Sequence, residues 1–354
     1  MKLNIALFYG GMSQEHEVSL RSAASIYEHL DRDKYVVKPI GITLEGRWYL
    51  QEAFSEEGRL AHGDKLWITQ DPAKEVLLAP GRGLNAGGRF LSLDGAFLIT
   101  HGTYGEDGRL QGLLEYAGLP YTGSPVLGSA LGMDKDKIKE VWQQNGVSVV
   151  PWLTLRKEEI GNPNFWRNAE KQVDAQFCWP VFVKPSNSGS SVGVSKVDSP
   201  ETFKSAVEAA FLIDSKVLVE PAIHAREIEV AVLGPLGKEQ AYGPGEIVPT
   251  HEFYDYDAKY KDPDGAILQI PAKLEARLIQ EIKAMALKAF RSCEAKGFSR
   301  VDFFLDKTTG KIYLNEINTL PGFTSISMFP MMCMEDGGMT YSQVLDRIIE
   351  AAIK

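Results

Sequence analysis

Residues 299–322 read SRVDFFLDKTTGKIYLNEINTLPG, two segments of alternating apolar and polar residues on either side of a short polar stretch. This pattern predicts two antiparallel β-strands joined as a hairpin. If Thr308–Gly310 forms a three-residue turn, with its glycine in the left-handed conformation, Lys307 pairs with Lys311. The register of the other pairs in the hairpin then follows from this turn.

Counting back from the turn places Asp302 opposite Glu316 and Arg300 opposite Asn318. Directly opposed residues have Cβ atoms about 4.5–5.5 Å apart, and two opposed carboxylates repel unless a cation lies between them. Two carboxylates and an amide supply oxygen ligands that suit Mg²⁺, whose coordination nucleotide phosphates commonly complete. The alternative is a solvated sheet face with scattered charge.

A second informative stretch, residues 182–194, reads FVKPSNSGSSVGV. An apolar strand ends at Lys184, and a flexible segment leads into another apolar strand. Successive backbone N–H groups of Ser188–Ser191 form a nest suited to anions, so the loop and the lysine together suit nucleotide phosphates. The chain contains no G-x-x-x-x-G-K-[ST] sequence, so this is not a Walker-type loop. An ordinary mobile hairpin loop is the alternative interpretation.

The composition places the chain in a broad class. At 354 residues it is longer than one core usually supports, so two or three domains are expected. A net charge of -9 argues against a nucleic-acid binder. We find no apolar run long enough to span a bilayer and no signal-peptide cleavage site after the first strand. The three cysteines share no metal-binding spacing and are expected to be reduced thiols of a cytoplasmic protein.

The chain order predicts three α/β units that meet near residues 124 and 224. The first unit begins with a strand at Leu3–Phe8 and continues through a helix to a second strand at Val36–Ile42, which is a βαβ unit of a parallel sheet. We interpret Gly46–Gly95 as an irregular elaboration outside the core of this unit. The helix is indicated by apolar residues at helical spacing, namely Ala23, Ile26, Tyr27 and Leu30.

Three further features are candidates for function. The segment at residues 249–265 reads PTHEFYDYDAKYKDPDG, and a long aromatic loop of this kind is typical of a lid or binding loop. His101 follows a strand, where ligands gather on parallel sheets, although a structural histidine explains it as well. Glu15 lies at a helix N-terminus, where the helix dipole alone favours a carboxylate.

Taken together, these motifs resemble those of one family, the D-alanine–D-alanine ligases within the ATP-grasp enzymes. The matching stretches occur in family order along nearly the whole chain: GGMSQEHEVS, HGTYGEDGRLQGLLE, LPYTGS, MDKDKIK, FVKPSNSGSSVGVSKV, EFYDYDAKY, RVDFFLD and NEINTLPGFTSISMFP. The resemblance implies an α/β fold of three domains. An N-terminal parallel α/β domain at residues 1–123 would precede two α+β domains, 124–224 and 225–354, that sandwich ATP.

The resemblance also implies a reaction, cofactors and partners. ATP would phosphorylate the carboxylate of one D-alanine, and the amine of a second would displace the phosphate to give D-alanyl-D-alanine for peptidoglycan synthesis. The cofactors would be ATP, as a substrate, and two Mg²⁺ or Mn²⁺ ions. The family further implies a cytoplasmic homodimer without nucleic-acid or membrane partners.

Family roles carry over to matching positions of this chain. The metal ligands would be Asp302, Glu316 and Asn318, which agrees with the register of the hairpin. Residues matching the family's catalytic set are Glu15, Ser190, Tyr260, Arg300 and Gly322. Substrate contacts would come from His101, Lys259 and Ser327, and ATP contacts from Lys135, Lys184, Glu220, Ile223 and Glu227.

Several alternatives remain open from the sequence. A D-alanine–D-lactate or D-alanine–D-serine ligase of the same family would share most of these residues, as would another ATP-grasp carboxylate–amine ligase in part. A regulatory nucleotide-binding module without catalysis is disfavoured by Arg300 beside a complete metal set. A NAD-dependent dehydrogenase is disfavoured because the first unit lacks a G-x-G-x-x-G sequence.

Overall fold

The computed structural model describes residues 1–52, 65–249 and 266–353, which form four β-sheets and the helices around them. The first sheet has the strand order β3-β2-β1-β7. Its strands are β1 (Leu3–Gly10), β2 (Tyr35–Ile42), β3 (Trp48–Leu50) and β7 (Gly95–Leu98). Strands β2 and β7 run parallel to β1, and helix α1 (His16–His29) connects β1 to β2. The predicted βαβ unit is therefore confirmed.

The described parts of the segment Gly46–Gly95, residues 46–52 and 65–95, are more ordered than its glycine content predicted. The segment contributes β3 to the first sheet and, beyond a 3₁₀ turn at Pro72–Lys74, forms a small antiparallel sheet of its own. The strands of that sheet are β4 (Val76–Ala79), β5 (Gly83–Ala86) and β6 (Arg89–Phe90). Leu66 and Leu84 are fully buried in the core around β1. The prediction of an irregular segment outside the core was wrong, because apolar side chains from this segment are buried in the core of the first unit.

The second sheet is wholly antiparallel and has the order β10-β9-β11-β8. Its strands are β8 (Leu153–Arg156), β9 (Val181–Pro185), β10 (Ser195–Val197) and β11 (Lys216–Pro221). A 3₁₀ turn at Lys157–Glu159 follows β8. Two helices, α5 (Phe165–Gln176) and α6 (Pro200–Ala210), bury Phe165 and Phe203 against the sheet.

The third sheet has the order β14-β13-β12-β15-β16, and all its pairs are antiparallel. Its strands are β12 (Ala225–Gly234), β13 (Gln240–Pro249), β14 (Ala266–Gln269), β15 (Gly297–Asp306) and β16 (Ile312–Asn318). Helix α7 (Ala276–Ser292) buries Ile282 and Phe290 against one face of this sheet. The opposite face carries the polar residues of the hairpin.

The remaining helices join the sheets to one another. They are α2 (Arg109–Ala117), α3 (Val126–Met133), α4 (Lys135–Gln144), α8 (Met328–Glu335) and α9 (Tyr341–Ala352). Helix α9 shares its core with the first sheet, and the hydroxyl of Tyr35 donates to Asp346 at 2.9 Å. The C-terminal helix thus packs against the N-terminal unit. The domain limits 1–123, 124–224 and 225–354 stay a prediction.

The hairpin of β15 and β16 has the predicted register at its functional end. Asp302 lies opposite Glu316 and Arg300 opposite Asn318. The predicted pairing of Lys307 with Lys311 was wrong. The backbone N–H of Asp306 donates to the carbonyl of Lys311 at 3.0 Å.

The difference at the turn has a local cause. The carboxylate of Asp306 accepts hydrogen bonds from the N–H groups of Thr308 at 2.7 Å and Thr309 at 3.1 Å, which stabilises a longer turn. A β-bulge between Asp302 and Phe303 shifts the register by one residue and restores the expected alignment. Two departures from the simple hairpin therefore cancel before the polar residues are reached.

Within the described ranges, none of the helices is both long enough and apolar enough to cross a lipid bilayer.

Candidate active site

The polar residues singled out from the sequence converge where the second and third sheets face the loops that follow β1 and β7. A small cavity of about 30 Å³ lies at this junction. Its lining includes charged residues from three parts of the chain, among them Glu106, Lys135 and Glu316, with Ser188 and Asn318 beside them. The fold thus brings the hairpin and the serine-rich loop together around one cavity.

The hairpin supplies an acidic corner of this site. Glu316 and Asp302 are directly opposed, and the Nδ2 of Asn318 donates to Oδ2 of Asp302 at 2.9 Å. The guanidinium of Arg300 forks onto the same carboxylate, with Nε 2.8 Å from Oδ1 and Nη2 2.6 Å from Oδ2. Asp302 is 9% exposed. A nearly buried carboxylate of this kind requires a cationic partner.

This donor set fits a hard divalent cation. Opposed carboxylates and an amide oxygen on one sheet face are ligands that Mg²⁺ accepts, and few protein ligands leave room for phosphate oxygens. Groups of three or more His, Cys, Asp or Glu residues arranged for a metal are absent from residues 1–52, 65–249 and 266–353. The assignment of Asn318 as a third protein ligand stays a prediction.

Arg300 has a second acidic neighbour that the sequence reasoning missed. Its Nε lies 3.1 Å from Oε2 of Glu229, a buried residue directly opposite Asp302 on strand β12. Burial alone would lower the pKa of Arg300, but the carboxylates of Asp302 and Glu229 more than offset this and hold that pKa above its ordinary value. Arg300 is therefore a permanent, oriented cation in the site.

A buried ion cluster lies beneath the serine-rich loop. Lys184, near the end of β9, has its Nζ 2.7 Å from Oε2 of Glu220 on the neighbouring strand β11. The other oxygen, Oε1, lies 2.7 Å from the Nζ of Lys139. Lys139 is fully buried, and its position gave no sign of this role in the sequence.

Two of the three other residues expected to contact ATP, Ile223 and Glu227, lie close to this cluster in the chain. Ile223 is in the short link between β11 and β12, where the N–H of the preceding Ala222 donates to the carbonyl of Pro180 at 3.0 Å. Glu227 is half-buried and is the third residue of β12. Together with Glu220 they mark the link between the second and third sheets.

Lys135 connects the hairpin to the serine-rich loop. It is the first residue of α4, and Asp134 caps that helix by accepting from the N–H of Lys137. The Nζ of Lys135 donates to the carbonyl of Ser188 at 2.7 Å and lies 3.5 Å from Oε2 of Glu316. A cation between the loop and the acidic corner is well placed to contact phosphates.

The serine-rich loop closes over the helix start that carries Glu15. The hydroxyl of Ser190 donates to Oε1 of Glu15. Ser190 and Ser191 have φ angles of 49° and 59°, a strained conformation for residues other than glycine and one that is concentrated at functional sites. A Cβ on Gly189 would lie 2.7 Å from Oε2 of Glu15, so a larger residue there would require the Glu15 carboxylate or the loop to shift.

His101 lies behind the site. It is 5% exposed, its Nδ1 is 2.9 Å from the carbonyl of Leu320, and its Nε2 is 3.3 Å from the hydroxyl of Ser22. Burial lowers its pKa, so the neutral ring is favoured. With both ring nitrogens engaged, His101 joins the loop after β7 to the loop after β16. Its expected contact with the substrate stays a prediction.

Gly322 and Ser327 belong to the turn that follows β16. The N–H and the hydroxyl of Thr324 each lie 2.9 Å from the Oγ of Ser327, which precedes helix α8. A Cβ on Gly322 would lie 2.9 Å from that same oxygen. The turn is therefore tight enough to hold the backbone of Gly322 beside the hydroxyl of Ser327. Lys259 and Tyr260 lie outside the described residues.

Glu106 is a further carboxyl that the sequence reasoning passed over. Its Oε1 accepts from the N–H of Gly102 at 2.9 Å, and its Oε2 accepts from the N–H of Leu320 at 3.3 Å. Burial, with a contribution from the nearby Glu15 charge, raises its pKa to about 8. The motif HGTYGEDG contains the signal, since a carboxylate beside three glycines in a loop after a strand is a candidate site residue.

Comparisons with known proteins agree on one family. The family model "D-ala D-ala ligase N-terminus" matches residues 4–124, and "D-ala D-ala ligase C-terminus" matches residues 141–350. The D-alanine--D-alanine ligase of Treponema denticola is 45% identical over 357 residues, which cover 99% of this chain and 96% of that protein.

Two solved structures are similar along almost their whole length. The D-alanine-D-alanine ligase from Coxiella burnetii has a TM-score of 0.82 and 36% identity, covering 99% of this chain and 95% of that one. The VanG D-Ala:D-Ser ligase from Enterococcus faecalis has a TM-score of 0.84 and 34% identity, covering 99% of both chains.

Proposed function

Because the chain belongs to the D-alanine–D-alanine ligase family, whose members are ATP-dependent and form a carbon–nitrogen bond, we propose that the cavity between the hairpin and the serine-rich loop performs this reaction. The chain acts on D-alanine and ATP in the synthesis of the peptidoglycan dipeptide. The observation that carries the residue assignment is the position of Lys135, which lies between Ser188 of the loop and Glu316 of the acidic corner.

Different residues bind the nucleoside, the phosphates and the metal ions. The link between the second and third sheets takes the nucleoside, with Glu220 and the backbone of Ile223 at the adenine and Glu227 at the ribose. Lys135, Lys184 and the N–H groups of the serine-rich loop take the phosphates. Asp302, Glu316 and Asn318 hold Mg²⁺ or Mn²⁺, two ions in our proposal, and the metal supplies charge neutralisation at the transferred phosphoryl group.

The chemistry needs positioning and charge stabilisation rather than a covalent enzyme intermediate. An oxygen of the first D-alanine carboxylate attacks the γ-phosphorus, and ADP leaves. The amine of the second D-alanine, having lost a proton, then attacks the carbonyl carbon of the acyl phosphate. The C–O bond to phosphate breaks, phosphate leaves with the bonding electrons, and the extra proton of the nitrogen passes to the departing phosphate. Holding the two substrates in contact removes much of the entropic barrier.

The amino-acid sites are assigned by the family positions, and contacts around the cavity support part of the assignment. Glu15, held by Ser190, accepts the ammonium of the first D-alanine, with His101 fixing the adjacent loop. Arg300 and the N–H of Gly322 stabilise the oxyanion of the tetrahedral centre that forms when the amine attacks the acyl phosphate. Ser327 and Lys259 bind the carboxylate of the second D-alanine, and Tyr260 closes the site with Ser190.

The remaining assignments rest on the family. We propose a cytoplasmic homodimer with two ions per active site and without nucleic-acid or membrane partners. A negatively charged surface, at a net charge of -9, disfavours binding to phosphate backbones.

The second candidate is ligation of D-alanine to D-serine. It is favoured by the similarity to the D-Ala:D-Ser ligase from Enterococcus faecalis, although the relative from Treponema denticola is more similar in sequence. The two activities differ only in what the pocket for the second substrate admits.

The test is incubation with ATP, Mg²⁺ and an equal mixture of D-alanine and D-serine, followed by mass identification of the products. We expect D-alanyl-D-alanine as the main product, with one ADP and one phosphate per dipeptide. Mainly D-alanyl-D-serine supports the second candidate. ATP hydrolysis that proceeds equally without D-alanine contradicts both.

A further inference from the structure

Lys139 is a fully buried lysine in the middle of helix α4. Lysine is almost never fully buried unless its charge is paired, because the ammonium loses its hydration. Its Nζ lies 2.7 Å from Oε1 of Glu220, donates to the carbonyl of Val150 at 3.0 Å, and is 5.7 Å from the centroid of the Trp152 ring. The cation is therefore fixed in one place.

Glu220 divides its carboxylate between two lysines. Oε1 pairs with Lys139 and Oε2 with Lys184, both at 2.7 Å. The carboxylate is 3% exposed, so its charge depends on these partners. Burial alone would raise the pKa of Glu220, but the two lysines more than offset this and lower it. The cluster contains two cations and one anion, so it has one more cation than is needed to neutralise Glu220.

The two lysines differ in access to the cavity. The side chain of Lys139 is 0% exposed, whereas that of Lys184 is 11% exposed and lies where β9 leads into the serine-rich loop. Of the two, only Lys184 has side-chain surface that a ligand could contact. The proposed function requires this surface, because it assigns the phosphates of ATP to Lys184.

We propose that Lys139 is a positioning residue for ATP binding, which keeps the charge of Glu220 paired and so releases Lys184 to the nucleotide phosphates. This inference rests on the proposed function. If Lys139 were absent, the departure of Lys184 would leave a buried carboxylate without a cation, and breaking a buried pair in this way is strongly unfavourable. Lys184 would then stay on Glu220, although Lys139 itself never touches the nucleotide.

Burial also lowers the pKa of Lys139 to about 8, since neighbouring lysines add to the desolvation and the Glu220 charge only partly offsets it. At pH 7 the side chain is still an ammonium. The pairing on which the release of Lys184 depends is therefore present under ordinary assay conditions.

The experiment measures the binding of ADP with Mg²⁺ by titration calorimetry at pH 7, in the absence of D-alanine. We expect Lys139→Met to bind ADP at least about tenfold more weakly than the unmodified protein. In the double variant Lys139→Met/Glu220→Gln no carboxylate retains Lys184, while the glutamine keeps an oxygen that can accept a hydrogen bond from the adenine. ADP should therefore bind more tightly than to Lys139→Met alone. Equal affinities of Lys139→Met and the unmodified protein overturn the inference.

The double variant separates this mechanism from a general structural defect. A double variant that binds ADP no better than Lys139→Met overturns the inference, because additive damage predicts that pattern. Lys34→Met is the matched control, since it removes a lysine that lies 2.6 Å from Asp346, near the C-terminal helix. We expect it to leave ADP binding unchanged, and a comparable loss in this control also overturns the inference.

Two further comparisons of ADP binding cover the case in which Lys139→Met does not fold and the case in which the proposed function itself is wrong. If Lys139→Met fails to fold, the test compares Glu220→Gln with Lys139→Met/Glu220→Gln, for which we expect equal ADP affinity. A tenfold loss between these two overturns the inference. If the unmodified protein binds no ADP, the proposed function fails; if it binds ADP and only the variants depart from expectation, this inference alone fails.

Discussion

The hydroxyl of Ser190 donates a hydrogen bond to the carboxylate of Glu15, from which it is separated by 175 residues. The contact joins a loop of the second sheet to the first turn of α1. Because Gly189 lies against the other oxygen of Glu15, the loop is positioned by shape as well as by the hydrogen bond. The pairing defines the side of the cavity assigned to the first D-alanine.

Gly189→Ala tests this close approach. The added Cβ would lie 2.7 Å from Oε2 of Glu15, so either the loop or the carboxylate must move. Small displacements in an active site can cost about 100-fold in rate. We expect the KM for the first D-alanine to rise at least about tenfold, measured by phosphate release.

Gly161→Ala is the control for that substitution, because a Cβ there would meet no atom within 4 Å. It should behave like the unmodified protein. Equal kinetics for Gly189→Ala and Gly161→Ala would show that the approach of the loop to Glu15 is not needed for substrate binding.

Arg300→Lys tests the assigned oxyanion stabilisation. Lysine keeps the charge but loses the planar fork that places two N–H groups on Asp302. Loss of an oxyanion donor costs about 100- to 1000-fold in turnover. We therefore expect kcat to fall by about 100-fold with little change in the KM for ATP. A change confined to KM would assign Arg300 to substrate binding instead.

The raised pKa of Glu106 predicts how stability depends on pH. A folded-state pKa of about 8 lies well above the value of about 4.3 for an unfolded glutamate, so the folded chain binds more protons between these limits. The stability contributed by this group is present below pH 4 and is lost as the pH rises toward 8.

Glu106→Gln removes that titration while keeping a similar shape. The free energy of unfolding is measured with urea at pH 6 and pH 9. Between these values the unmodified protein should lose more stability than Glu106→Gln does. A difference between the two proteins that stays constant from pH 6 to pH 9 would show that Glu106 is already ionised in the folded state.

The sequence predicted the hairpin well because strand alternation fixes which side chains share a face. Asp302 and Glu316 lie opposite each other as expected. The predicted turn was wrong because two features have no simple signature in the alternation of apolar and polar residues. They are the capping of backbone N–H groups by Asp306 and the bulge after Asp302. The two departures cancelled, so the predicted register was right at the functional end of the hairpin although the predicted turn was wrong.

Glu229 and Lys139 were missed for a different reason. Glu229 matters because β12 pairs with β15, and strand order between distant segments cannot be read from local alternation. Lys139 lies on a helix whose sequence, KDKIKEVWQQ, is mostly polar, so its complete burial depends on packing against other units. Both residues acquire a role only from tertiary structure.

Some helices escaped prediction because their sequences lack an amphipathic pattern. The segment VLGSALGM of α3 contains two glycines and no charged residue, yet it is helical. Gly128 and Gly132 face backbone of residues 294–295 and the side chain of Thr319, where a Cβ would clash. Close packing against neighbouring elements, rather than an amphipathic pattern, therefore explains why this segment is helical.

The central claim is that the β15–β16 hairpin holds a divalent ion together with a nucleotide, and binding of Mn²⁺ followed by electron paramagnetic resonance tests it most directly. In the presence of ADP we expect tight Mn²⁺ binding that weakens at least about tenfold in Glu316→Gln. The exposed Glu335→Gln should bind Mn²⁺ as the unmodified protein does. Equal, ADP-dependent Mn²⁺ affinity in all three proteins would contradict the account.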